Sequence, residues 1–166
     1  MSKQAKRQLA GSGEALPAGA VGEVKSSLVT TWTNITTSSQ FFDATSLPIP
    51  IGVWSVTGKM SYLRNGASFS GTTVGDIVVG VSTTSGNSGA GTIEGYSYYD
   101  QSNFATVSFG AFSINTGTVI IRSDGVNLYI GGTTLAGTTL YLKGYIGAFT
   151  SGTPQYKGAL EAVRIA

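Results

Sequence analysis

The two strand-like runs at the C-terminal end constrain the fold most. Thr138–Thr150 reads T-T-L-Y-L-K-G-Y-I-G-A-F-T, and Tyr156–Ala166 reads Y-K-G-A-L-E-A-V-R-I-A. Apolar and polar side chains alternate in both, with few breaks. A period of two is the mark of a strand with one buried face. The turn segment Ser151–Pro154 lies between them, so the two are expected to pair as neighbouring antiparallel strands. A final run that pairs into a sheet holds the C-terminal end in place.

The same texture extends upstream. Glu23–Trp32 is rich in Thr and β-branched residues, and Gln40–Leu47 carries the Phe41–Phe42 pair. Pro48-Ile49-Pro50-Ile51-Gly52 reads as a turn, because each proline fixes φ and cannot donate to a ladder. In Val53–Leu63 one face holds Val53, Ser55, Thr57 and Lys59, and the other holds Trp54, Val56, Gly58 and Met60. The second is the expected core face. Ile77–Ser82 is a short apolar run of the kind buried on both sides. Ser85–Gly91 and Gly131–Gly137 read as loops, and Ile93–Tyr99 and Thr106–Ile114 as aromatic strands. Asp124-Gly125 between Val119–Ser123 and Val126–Ile130 is the signal of a two-residue hairpin. Such spacing, with about eight to ten strands and no helix, predicts an all-β sandwich or barrel. No repeat of about 20–50 residues is visible.

Residues 1–22 differ from this body. Met1–Leu9 has helix-compatible residues but is too short to hold a helix alone. Gly11–Gly22 holds four glycines and Pro17. The segment reads as an extended arm or linker before a body spanning 23–166. Of ten basic residues, Lys3, Lys6 and Arg7 lie in its first seven positions, and without them the chain carries seven basic against eight acidic residues. A body so nearly neutral is not expected to bind nucleic acid, which needs clustered cations. The basic start could touch nucleic acid or an acidic protein groove, but a solvated terminus explains so short a run more simply. Only 11% of residues are charged, against a usual roughly 25%. Polarity comes instead from Ser, Thr, Gly and Asn, which suits a protein packed among other subunits. No run approaches about 18 apolar residues, so no spanning helix and no membrane role are expected. After Arg7 the run Gln8–Ala20 is too broken for a secretory leader, which predicts synthesis in a cytoplasm.

The chain has no His and no Cys. That removes Ser-His-Asp and Cys-His nucleophile pairs and the usual zinc ligands. The carboxylates are Glu14, Glu23, Asp43, Asp76, Glu94, Asp100, Asp124 and Glu161. Two of them could form a glycosidase pair, but isolated surface carboxylates explain them more simply. Gly86-Asn87-Ser88-Gly89-Ala90-Gly91 lacks the Gly-Lys-Ser/Thr of a phosphate cradle. No cofactor, metal or catalytic residue is expected. Tyr96, Tyr98, Tyr99 and Asn103 form an aromatic–polar cluster that suits a host glycan or protein surface. A plain cross-strand aromatic ladder, or a subunit interface, accounts for it as well.

Three motifs, in order, resemble small fibre, decoration and receptor-binding virion proteins of tailed bacteriophages. The first is A-G-x-V-G-E at Ala18–Glu23. The second is L-P-x-G-x-W-x-V-x-G at Leu47–Gly58, with two extra residues in the turn. The third runs from Tyr141-Leu142-Lys143-Gly144 through Phe149-Thr150-Ser151-Gly152-Thr153 to Gly158, Leu160, Ala162, Arg164 and Ile165. Members commonly end in Arg-Arg-Ile/Met-Arg, and this chain has Val163-Arg164-Ile165-Ala166 instead. The resemblance covers residues 18–63 and 138–166 and leaves 64–137 unmatched, as expected of exposed, variable loops.

It implies a jelly-roll-like antiparallel β-sandwich preceded by an extended N-terminal arm. It further implies a homotrimer on the virion of a phage made in a bacterial host. The arm, with Lys3, Lys6, Arg7, Leu9 and Leu16, would anchor it to a major capsid, tail or portal protein. The body would hold Trp54 and Phe149 in its core. A receptor-binding module is the alternative, with loops at Arg64–Thr73, Ser85–Gly91 and Tyr96–Asn103 facing a host glycan or surface protein.

Overall fold

The structure, a computed structural model, describes residues 19–69, 77–87, 93–99, 111–123, 125, 127–130 and 133–166. Every regular element among them is a strand. One sheet has six strands. Its order is β1 (Val24–Asn34), β12 (Gln155–Arg164), β3 (Gly52–Leu63), β7 (Ala111–Ser123), β8 (Asn127–Ile130) and β9 (Thr133–Ala136). The facing sheet has four, in the order β2 (Gln40–Pro48), β10 (Thr139–Ile146), β5 (Ile77–Ser82) and β6 (Ile93–Tyr99). A two-stranded ribbon joins β11 (Phe149–Ser151) to β4 (Ser68–Phe69). All pairings are antiparallel.

Setting aside the short β4, β8, β9 and β11, the order β1-β12-β3-β7 faces β2-β10-β5-β6. That arrangement, in which the chain winds between two sheets as paired Greek keys, is a jelly roll. The expected all-β sandwich is therefore what the chain forms.

Period two builds the core. On β3, Trp54, Val56, Met60 and Tyr62 are fully buried, as the parity of that strand predicts. They meet Leu140, Leu142 and Ile146 of β10 and Ile77, Val79 and Val81 of β5, with Leu160 and Ala162 of β12 beside them. Phe149 packs against this cluster, only partly buried. Burying each large apolar side chain contributes about 1.5–3 kcal/mol. Two glycines allow the sheets to approach. A Cβ on Gly58 would lie 2.7 Å from Leu142 Cδ1, and one on Gly158 would lie 2.8 Å from Leu142 Cδ2. Leu142 thus seats between two glycines of the opposite sheet. Tyr62 donates its hydroxyl hydrogen to the Val78 carbonyl at 3.1 Å, and its complete burial pushes the phenol pKa well up.

Four expectations need correction. The runs Thr138–Thr150 and Tyr156–Ala166 do not pair with each other. β10 pairs with β2 and β5, whereas β12 pairs with β1 and β3, in opposite sheets. The first run also ends its main strand at Ile146 and resumes as the short β11. The strands expected at Thr106–Ile114 and Val119–Ser123 are one strand from Ala111 onward. It stays continuous because a bulge opposite Thr57/Lys59 absorbs the break in pattern. The hairpin after β7 closes on Ser123 and Leu128, so four residues separate its nearest pair, not two. The loop expected at Gly131–Gly137 contains strand β9.

The C-terminal end is held as expected. Ala166 accepts a backbone hydrogen bond from Val53 N, and the N–H of Ile165 returns one to Val53 O.

Candidate functional site

The chain enters the body through a tight turn at Gly19–Gly22. Gly19 and Gly22 have φ of +83° and +89°, a region that favours glycine, and Glu23 N donates to Ala20 O at 2.9 Å. The Glu23 side chain folds back over the turn. Its Oε2 accepts the Gly19 N–H at 2.6 Å, and its Oε1 lies 3.1 Å from Lys25 Nζ. Arg164, at the end of β12, places NH1 3.8 Å from the same carboxylate. Backbone bonds lock the two segments together: Gly22 N to Arg164 O at 2.7 Å, and Arg164 N to Glu23 O at 2.8 Å. The Gly19 N–H holds the Glu23 pKa below its ordinary value; burial opposes this, and Lys25 and Arg164 assist it.

The guanidinium of Arg164 also lies over the Trp54 ring, 5.5 Å from its centroid. Trp54 Nε1 donates to Pro50 O at 3.0 Å and so fixes the proline turn. Gly52 has φ of +146°, and a Cβ there would sit 2.7 Å from Arg164 Cζ, so the guanidinium occupies the space a side chain would take. The three motifs of the family resemblance therefore converge on one corner of the sandwich. Glu23 closes the first, Gly52 and Trp54 belong to the second, and Arg164 to the third. Sequence reading matched each motif separately. Only the antiparallel pairing of β1 with β12, Val24 opposite Val163, brings Glu23 beside Arg164.

Beside this clasp runs an open groove of about 790 Å³. Its lining is mainly apolar, with Leu47, Pro48, Ile49, Pro50 and Ile51 among the walls, and it includes Gly19, Lys25 and Arg164. Among the described residues, the buried Nε of Arg164 has no hydrogen-bond partner.

A second ionic cluster was not anticipated. Lys143 on β10 is fully buried, and its ammonium pairs with Asp43 Oδ1 on β2 and donates to Gly86 O at 2.7 Å. Asp43 Oδ2 accepts from Ser85 Oγ at 2.7 Å and from Gly86 N at 2.8 Å. Asn87 Nδ2 donates to Gln40 Oε1 at 3.2 Å. The loop after β5 is thereby latched over the outer face of the sheet. Asp43 is thus the partner of a buried cation and not simple surface solvation. The available signal was that β2 and β10 each carry a single charge, of opposite sign.

Lys3, Lys6, Arg7, Leu9, Leu16 and Asn103 lie outside the described residues, as do Glu14, Asp76, Asp100 and Asp124. Tyr96, Tyr98 and Tyr99 lie on β6, at the edge of the four-stranded sheet, opposite Gly80, Val78 and Ile77. Among the described residues, no group of three or more His, Cys, Asp or Glu side chains is placed to hold a metal ion.

No family model matches the chain. No curated protein matches it either. Among solved structures, a chain of the picornavirus equine rhinitis A virus in an expanded particle is similar over 82% of this chain and 71% of its own, at 11% identity and a TM-score of 0.35. A chain of Israeli acute paralysis virus, from a full particle heated to 63 degrees, is similar over 98% and 81%, at 13% identity and 0.34. A legume lectin-like domain from Entamoeba histolytica is similar over 88% and 91%, at 9% identity and 0.31. These likenesses are too distant to carry function, and the jelly-roll assignment rests on the strand order itself.

Proposed function

We propose that this chain is a non-enzymatic structural protein of a tailed-bacteriophage virion, a capsid decoration or short fibre that docks through its N-terminal arm and assembles as a homotrimer. The observation that carries the reading is the convergence of all three resemblance motifs on the corner where the arm enters the body. A protein that hangs from a particle by a tether needs that junction fixed, and Glu23 fixes it with a backbone hydrogen bond and two cations. The arm supplies Lys3, Lys6, Arg7, Leu9 and Leu16 for a capsid, tail or portal protein.

Self-association is supported by the outward face of the six-stranded sheet. There Val24, Val163, Ser55 and Ile120 stand in one cross-strand row, with Leu28 opposite Ala159 nearby. Val24, Leu28 and Ile120 are exposed large apolar residues.

Removing residues 1–13 tests the anchoring role, because it spares the clasp. The truncated protein should sediment as a trimer and fail to join particles. Incorporation at the full-length level would refute anchoring, and a monomer at micromolar concentration would refute the trimer.

Receptor binding is the second reading, favoured by the placement of three tyrosines on an edge strand, whose backbone a ligand can extend. Glycan-array and cell-adsorption signals lost in a Tyr96→Ala/Tyr98→Ala variant would support it. No signal from the intact protein would remove it.

A further inference from the structure

The outward face of the four-stranded sheet carries aromatic rings that the core does not use. On β10, Leu140, Leu142 and Ile146 are buried in the core, so Tyr141, Lys143 and Tyr145 have the outward parity. Register extends Tyr145 into a cross-strand row. Phe41 of β2 lies on one side of it and Val78 of β5 on the other, and Tyr98 of β6 takes the next position. The Phe41 and Tyr145 ring centroids are 5.0 Å apart with the rings tilted by 47°, and both residues are only half-buried.

Polar groups stand beside this row. Gln40 precedes Phe41, and Asn87 belongs to the loop after β5; both are exposed. Asn87 Nδ2 donates to Gln40 Oε1, which engages one atom of each carboxamide. Among the described residues, Gln40 Nε2 and Asn87 Oδ1 take no further bond, which leaves a donor and an acceptor. The loop that carries Asn87 is already held by the Lys143–Asp43 latch, so its order need not be supplied by a ligand. Exposed rings with a few placed polar groups suit a sugar. The C–H face of a pyranose packs on an aromatic ring, and its hydroxyls take both donors and acceptors.

Charge selects among sugars. Of the ten basic residues, only Lys143 lies on a strand of this sheet, and its ammonium is spent on Asp43 and the Gly86 carbonyl. Glu94 on β6 adds a negative charge. The carboxylate of a sialic or uronic acid would meet no uncommitted cation on these strands, whereas a neutral glycan needs none.

We propose that the Phe41–Tyr145 face binds a neutral glycan, with pyranose rings against these two side chains and hydroxyls on Gln40 Nε2 and Asn87 Oδ1. This rests on the receptor-binding reading and deepens it, by moving the contact onto β2 and β10 and by naming the class of ligand.

The test applies the full-length protein to a glycan array. One set carries neutral oligosaccharides of glucose, galactose and N-acetylhexosamines, and the other carries sialylated and uronic-acid glycans. The neutral set should be bound. Tyr145→Ala should weaken that binding roughly tenfold, and Tyr145→Phe should leave it within about twofold, because stacking needs the ring and not the hydroxyl. Asn87→Ala, at an exposed loop position, should weaken it several-fold. Lys59→Ala, exposed on the other sheet, should change nothing. Neutral binding unchanged by Tyr145→Ala would overturn the site and leave receptor binding standing; should that variant not fold, Asn87→Ala decides in its place. Binding confined to the acidic set would overturn the ligand class. An array without signal would overturn the proposal, and adsorption to cells that persists would then point to a protein receptor. A Tyr145→Ala protein that falls from trimer to monomer would overturn it too, by marking the face as a contact between subunits.

Discussion

The two ionic clusters differ in how completely they are satisfied. At the loop latch, Lys143 is wholly buried, and its ammonium and the Asp43 carboxylate exchange bonds with each other, Ser85 and Gly86 until little capacity is left. At the arm root, Glu23 is surrounded by donors, yet the Arg164 guanidinium keeps a buried Nε without a partner and faces a groove. A closed network spends its charge on holding a loop in place. An open one keeps recognition capacity, and it sits beside Gly19, the first described residue.

Mutation separates the two most sharply at Asp43. Asp43→Ala strands a buried ammonium, and urea unfolding should show a loss of about 3–5 kcal/mol. The double substitution Asp43→Leu/Lys143→Met, which replaces the whole pair by apolar groups, should cost within about 1 kcal/mol of nothing. If both substitutions cost the same, the latch is not an ion-pair device. At the arm root, Glu23→Gln should cost about 1–2 kcal/mol, since the Gly19 bond survives in weaker form.

Acid sharpens the contrast. The Glu23 carboxyl titrates below its ordinary 4.5 in the folded protein, so its stabilisation is complete above that value. It is lost as pH falls through the lower folded value. The stability gap between the wild-type protein and Glu23→Gln should therefore shrink as pH drops below 4.5, measured by unfolding at fixed ionic strength. A gap that stays constant down to pH 2 would remove the carboxylate from the account. The smallest effect is expected from Ser85→Ala, about 0.5–1 kcal/mol, because Ser85 is exposed and Asp43 keeps its Gly86 bond.

Strand positions were legible because burial on one face writes itself as alternation. Ile77–Ser82 and Ile93–Tyr99 have the bounds their sequence suggests, and Trp54, Val56 and Met60 lie on the face their parity assigns. Partnership was not legible. Most of the long strands that follow one another here lie in opposite sheets, β5 and β6 excepted, so β10 and β12 stand close in sequence without sharing a hydrogen bond. Thr133–Ala136 read as loop because glycines flank it, yet pairing with β8 makes it a strand.

The candidate site was half legible. Glu23 and Arg164 each stood in a motif, but their contact depends on β1 lying against β12. Lys143 has the parity of Tyr141 and Tyr145, which reads as outward. It is buried because the loop after β5 crosses over it, a long-range event that leaves no local trace.

One consequence follows from the place of β12, an inner strand bordered by β1 and β3. During synthesis, β1 waits without its partner until Gln155–Arg164 emerges from the ribosome. At about 5–20 residues per second, that wait is on the order of ten seconds. Throughout it, β1 and β3 each show an unsatisfied backbone edge to other nascent chains. Production of this protein should therefore depend on co-translational chaperones far more than its compact final form suggests.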